Sequence, residues 1–169
     1  MLLNRFSLLT LITGISLAGC EKEMSLELSQ EYIKQANDLK EFVEGRSFSL
    51  VDFYSNIPID YIENDGEVRE ETNLWTYVSP YLRDDQYILY SNNTLDVVQN
   101  NLKIPGNTED VLPRTYAIGT DQEGVFMRFL DYQYNPLTYR LHEIGQDHFI
   151  LAISWNQGAT LYSRYEFAP

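Results

Sequence analysis

The sequence predicts an α+β fold rich in β structure, with one helix near the start and a curled antiparallel sheet that ends in a five-strand meander. Three patterns carry this. Apolar residues recur at helical spacing between 29 and 44, and beyond Gly45 the period drops to two. Short breaks rich in Gly, Asn and Asp then punctuate the last third. Closure of the sheet into a barrel is a variant the pattern leaves open, and it would create an interior cavity.

In the helical segment, Tyr32, Ala36, Leu39 and Val43 share one face, which Ile33 and Phe42 widen. Ser29 suits an N-cap, Glu31 stands in the first turn, and Gly45 suits the residue after the end. Packing on the sheet is the simpler use of such a stripe; docking a partner is the alternative.

After Gly45, Phe48, Leu50 and Tyr54 alternate with Ser49, Val51 and Phe53. The aromatic runs 73–78 and 86–91 are the next expected strands. Residues 94–102 fit a short helix, with Thr94 as cap, Leu95, Val98 and Leu102 on one side, and Pro105-Gly106 as the stop. The meander is expected over 115–120, 124–132, 137–144, 148–155 and 160–167. Its connections are hairpins at residues 121–124, 135–136, 145–147 and 156–158. Phe149, Leu151, Ile153 and Trp155 mark one apolar face of the fourth strand, with Ile150 and Ala152 behind, so that strand should be covered on both sides.

The start of the chain has a different character. Arg5 precedes an uncharged, mostly apolar run, Phe6–Leu17, too short for the roughly 20 residues that cross a bilayer as a helix. Leu17-Ala18-Gly19-Cys20 follows, and this motif resembles the lipobox of bacterial lipoproteins. The resemblance covers the signal region alone. It implies removal of residues 1–19, thioether attachment of diacylglycerol to Cys20, and acylation (palmitate-type chains) of the new amine. It also implies a periplasm-facing protein held on a membrane through the lipid on Cys20. Two or more acyl chains anchor firmly where one does not. Glu21 departs from the Asp that favours inner-membrane retention in enterobacterial lipoproteins, so the outer membrane is expected. Residues 20–28 would then form the lipidated Cys and a short tether, and 29–169 a single globular domain.

The chain has 169 residues, 12 basic and 25 acidic, for a net charge of −13. Loss of Arg5 with the leader makes the remainder one unit more negative. Such a balance argues against nucleic-acid partners and favours a basic protein partner. Cys20 is the only cysteine; once lipidated, it leaves the mature fold neither a disulfide nor a thiol nucleophile. Stability must come from core burial, to which 13 Tyr, 8 Phe and 2 Trp contribute.

No nucleophile elbow, P-loop, dinucleotide fingerprint or lipocalin signature is present. No cofactor, resident metal or enzymatic activity is expected. His142 and His148 bracket the Gly145-Gln146-Asp147 hairpin beside Glu143, but their spacing matches no metal motif, and surface histidines are the simpler reading. Asp131 stands among apolar residues, with Arg140 or Tyr139 as candidate partners and no second group to make it a catalytic acid.

The concentrated charge is Asp60, Glu63, Asp65, Glu67, Glu70 and Glu71, against Arg69 alone. A solvated hairpin tip is the plain reading. The functional one is an acidic face for a basic partner, which Asp84-Asp85 and Glu109-Asp110 could extend. Small size, acidity and an export signal make the chain similar in style to the immunity lipoproteins of type VI secretion. That similarity implies neutralisation of a secreted antibacterial toxin. An envelope-assembly lipoprotein and a barrel-type carrier of small ligands are the alternatives.

Overall fold

The computed structural model describes residues 16–62, 68–130 and 135–168. A long helix, α1 (Ser16–Val43), is followed by β1 (Arg46–Ile62) and β2 (Val68–Asn73). A 3₁₀ turn (Trp75–Tyr77) and the short α2 (Pro80–Asp84) lead into β3 (Gln86–Leu89) and β4 (Thr94–Val98). The meander then runs through β5 (Val111–Asp121), β6 (Gly124–Leu130), β7 (Pro136–Ile144), β8 (His148–Ser154) and β9 (Thr160–Phe167).

Every strand pairs antiparallel with its neighbour, and β1 also pairs with β9 over Phe48–Ser55, so eight strands close into a barrel. β1 performs three tasks because it is long. Its first residues pair with β3, its middle with β9, and its far end with β2, which is an extra strand outside the closed ring. Register shifts at Leu50/Asp52 in β1 and Leu141/Glu143 in β7 bend those strands, as barrel closure requires.

Two expectations are corrected. Residues 94–98 form β4, because hydrogen-bonded neighbours on both sides, β3 and β5, outweigh a weak local helical spacing. Residues 74–78 do not form a strand, and Asn73 is only the last residue of β2: its side chain accepts the Trp75 amide at 3.0 Å and turns the chain into the 3₁₀ segment. The five-strand meander is present, with its first strand longer than expected. Trp155 lies beyond the end of β8 and is exposed, whereas Ile150 and Ala152 on the outer face of that strand are buried.

α1 lies across one end of the barrel. Gly45, at φ +72°, ends the helix in the left-handed conformation that glycine adopts without strain, and its amide reaches Leu89 O at 2.7 Å. Leu39 and Val43 are fully buried against Phe48, Leu89, Leu95, Tyr116, Val125, Met127 and Phe149. Phe42 stacks on Phe167 and meets Phe149 edge-on. This half of the interior is filled by side chains.

Candidate functional site

The other half is not filled. Alternation along the strands sends Leu50, Phe53, Tyr87, Val97, Leu112, Phe129, Leu137 and Tyr139 inward, yet they do not meet across the axis at this end. A cavity of about 670 Å³ remains. Tyr87 and Tyr165 form its floor. Their rings meet at 90° with centroids 5.7 Å apart, and Tyr165 stacks on Phe149 of the packed half at 5.0 Å. The 3₁₀ turn and α2 form part of its wall through Tyr77, Tyr81 and Leu82. They reach this position because β2 leaves the barrel rim and Leu74 N returns to Phe53 O at 2.9 Å.

The lining is mostly aliphatic and aromatic, with few polar groups. Ser163 is buried within it, and Arg114, facing inward opposite Leu95, donates to Pro113 O at 2.9 Å. The acidic group in the lining is Asp85, at the corner between α2 and β3. Asp85 is completely buried, and neither carboxylate oxygen has a hydrogen-bond partner. Burial, followed by the neighbouring Asp84 charge, pushes its pKa up to about 7. Burial also raises the phenols of Tyr87 and Tyr165 above the ordinary tyrosine range, and the Asp85 charge adds to the rise at Tyr87. Asp84, by contrast, is structural: its carboxylate accepts the amides of Asn101 and Leu102 at 2.6 and 2.8 Å. The Asp84-Asp85 pair therefore does not extend an acidic surface, because one caps a loop and the other is inside.

The expected partner-binding acids are only partly brought together. Asp60 and Glu70 are direct cross-strand partners on the β1–β2 hairpin, both exposed, while Glu71 stands opposite Ile59. Glu63, Asp65 and Glu67 lie outside the described residues, as does Asp131. Arg140 forms ion pairs with Asp121 and Glu123 at 2.6 Å each, and its hydrogen bond lowers the Asp121 pKa. Cys20 falls within the span of α1, and its side chain lies outside what is described.

The two histidines do not converge. His148 meets Asp147 at 3.0 Å and Glu143 at 3.3 Å through its two ring nitrogens, whereas His142 packs its ring against Tyr162. A Cβ at Gly145 would collide with the His148 ring, which would have to move to admit it. Among the described residues no group of three or more His, Cys, Asp or Glu could hold a metal ion. No described helix is long and apolar enough to cross a membrane.

Sequence reasoning missed Asp85 as a functional residue. The sequence signal for it is slight: an acid immediately before the apolar strand Gln86–Leu89, in a corner whose burial only the closed barrel creates. No protein-family model matches the chain, and no curated protein matches it.

Proposed function

We propose that this chain is a lipid-anchored envelope protein that carries a small, largely apolar ligand inside its barrel. The observation that carries this reading is the cavity of about 670 Å³. Ligand sites commonly occupy roughly 300–1,000 Å³, with mostly apolar walls and a few polar groups that fix orientation. A side-chain-filled interior would have removed the carrier reading. The place of action comes from the leader and from Cys20 in Leu17-Ala18-Gly19-Cys20.

The test is binding of a neutral apolar fluorophore such as phenylnaphthylamine. The expected result is saturable binding with one probe per chain, abolished by Leu112→Trp, which places a large ring in the cavity. Non-saturable binding, or binding unaffected by Leu112→Trp, overturns the proposal. The anchor is tested separately: Cys20→Ser should abolish palmitate labelling and membrane retention, and unchanged retention counts against it.

One observation favours a second reading, binding of a basic protein such as a secreted toxin. Asp60 and Glu70 face each other directly across the β1–β2 pair. Like charges so placed destabilise a sheet, which suggests a use for them. Binding to the product of a neighbouring toxin gene, weakened by the Asp60→Asn, Glu70→Gln pair and accompanied by protection of sensitive cells, would support an immunity role. Unaltered binding by that variant would remove the hairpin from the interface.

A further inference from the structure

Asp85 gives the cavity a chemical preference. We infer that the ligand carries a protonated nitrogen on an apolar, preferably aromatic, body, with that nitrogen seated against the Asp85 carboxylate. The inference rests on the carrier reading above.

The argument begins with the two unpartnered oxygens. A fully buried carboxyl with no donor is costly unless something completes it, and an ionised one more so. Nothing described on the protein does so. Arg83, two residues away, directs its guanidinium over the Trp75 ring at 5.7 Å from the centroid. Arg114, on β5, lines the same cavity and donates to Pro113 O, and it is not among the groups that perturb the Asp85 carboxyl. Asp84 stands beside Asp85 and Tyr87 on β3 feels its charge, while Tyr81 on α2, Tyr139 on β7 and Tyr165 on β9 line the same cavity. Tyrosine rings in a cavity wall attract a cation that reaches their faces. A ligand ammonium would supply the missing hydrogen-bond donors and the missing countercharge together. The net charge of −13 acts in the same direction at longer range, drawing cations and repelling anions.

The experiment measures binding of three probes of nearly equal shape to the full-length protein: phenylbutylamine, phenylbutanol and phenylbutyrate. At pH 8 the amine should bind at least about tenfold more tightly than the alcohol, and the acid more weakly than both. In Asp85→Asn the preference for the amine should shrink to within about twofold, while alcohol affinity stays the same. Wild-type amine affinity should fall as the pH drops from 8 to 6, by up to about tenfold per unit, because Asp85 becomes neutral while the amine stays charged; alcohol affinity should not change. This pH series tests the inference even if the variant fails to fold. Equal binding of amine and alcohol overturns the inference and leaves the carrier reading standing. A preference for the acid overturns it and points to Arg114. Failure of all three probes overturns both readings. Amine binding that survives Leu112→Trp shows adsorption to the acidic surface and also overturns the inference.

Discussion

The two ends of the barrel are built from the same strands and obey opposite rules. At the end covered by α1, Leu39, Val43, Phe48, Leu89, Met127 and Phe149 are at most 1% exposed and touch one another. At the other end the inward residues surround empty space, a carboxyl is buried without a partner, and β1 runs on past the ring into a hairpin with opposed acids. One end has the features that raise stability. The other collects features that lower it, and such departures from the packing rules concentrate where function is kept.

The largest expected effect comes from deleting the same atoms at each end. Leu89→Ala, in the filled half, should cost about 3–5 kcal/mol, because transfer energy is lost and a cavity opens among neighbours that cannot collapse. Leu112→Ala, on the cavity wall, should cost only about 1–2 kcal/mol, since Leu112 already lacks contacts on one side. Urea unfolding of the two variants measures the difference. Equal losses would mean that the cavity closes in solution and that the two ends do not differ.

Asp85 provides the next effect. Its folded pKa of about 7 lies above the ordinary 3.8, so the unfolded chain releases this proton more readily than the folded one. The group's contribution is therefore most favourable below about pH 4 and is lost progressively as pH rises to about 7. At about 1.4 kcal/mol per pKa unit, the loss amounts to no more than about 4 kcal/mol. Asp85→Asn should remove this slope, so the variant gains on the wild type between pH 4 and 7. Asp110, Asp121 and Asp147, held low by Lys103, Arg140 and His148, act in the opposite direction and are unchanged in the variant, so the difference isolates Asp85. Parallel stability curves would mean that Asp85 finds a partner in solution.

Adding volume sharpens the same contrast. Leu112→Trp should change stability by no more than about 1 kcal/mol, because the ring enters existing space. Leu89→Trp should cost about 1–3 kcal/mol or more through overpacking. Thermal unfolding of both variants checks this.

The two ends also differed in how well the sequence revealed them. The filled end rests on local signals. The stripe Tyr32, Ala36, Leu39, Val43, the glycine at 45 and the alternation in β8 each follow from short-range periodicity. The open end rests on closure. Whether Leu112 and Leu137 meet a partner or face a void depends on strand number and curvature, which no local pattern encodes. β4 is hidden from the sequence for a related reason: Leu95, Val98 and Leu102 fit a helical turn, and only pairing with both β3 and β5 decides otherwise. Two adjacent acids such as Asp84-Asp85 look solvated in sequence, while the burial of Asp85 is imposed by its place at the corner between α2 and β3.

The smallest effect tests whether the β1–β2 hairpin belongs to the functional character of the open end. Asp60 and Glu70 are exposed and directly opposed, so solvent screens much of their repulsion. Glu70→Lys turns a like-charge pair into an attractive one and should raise stability by about 0.2–1 kcal/mol, more at low salt than at high. Binding of the apolar fluorophore should be unaffected, because neither residue lines the cavity. If the acids serve a basic partner, the same substitution should weaken that partner mainly by slowing its association, with the loss fading as salt is added. A stability gain without any effect on partner association would make the opposed acids a solvated feature of the hairpin and leave the cavity as the functional element of this end.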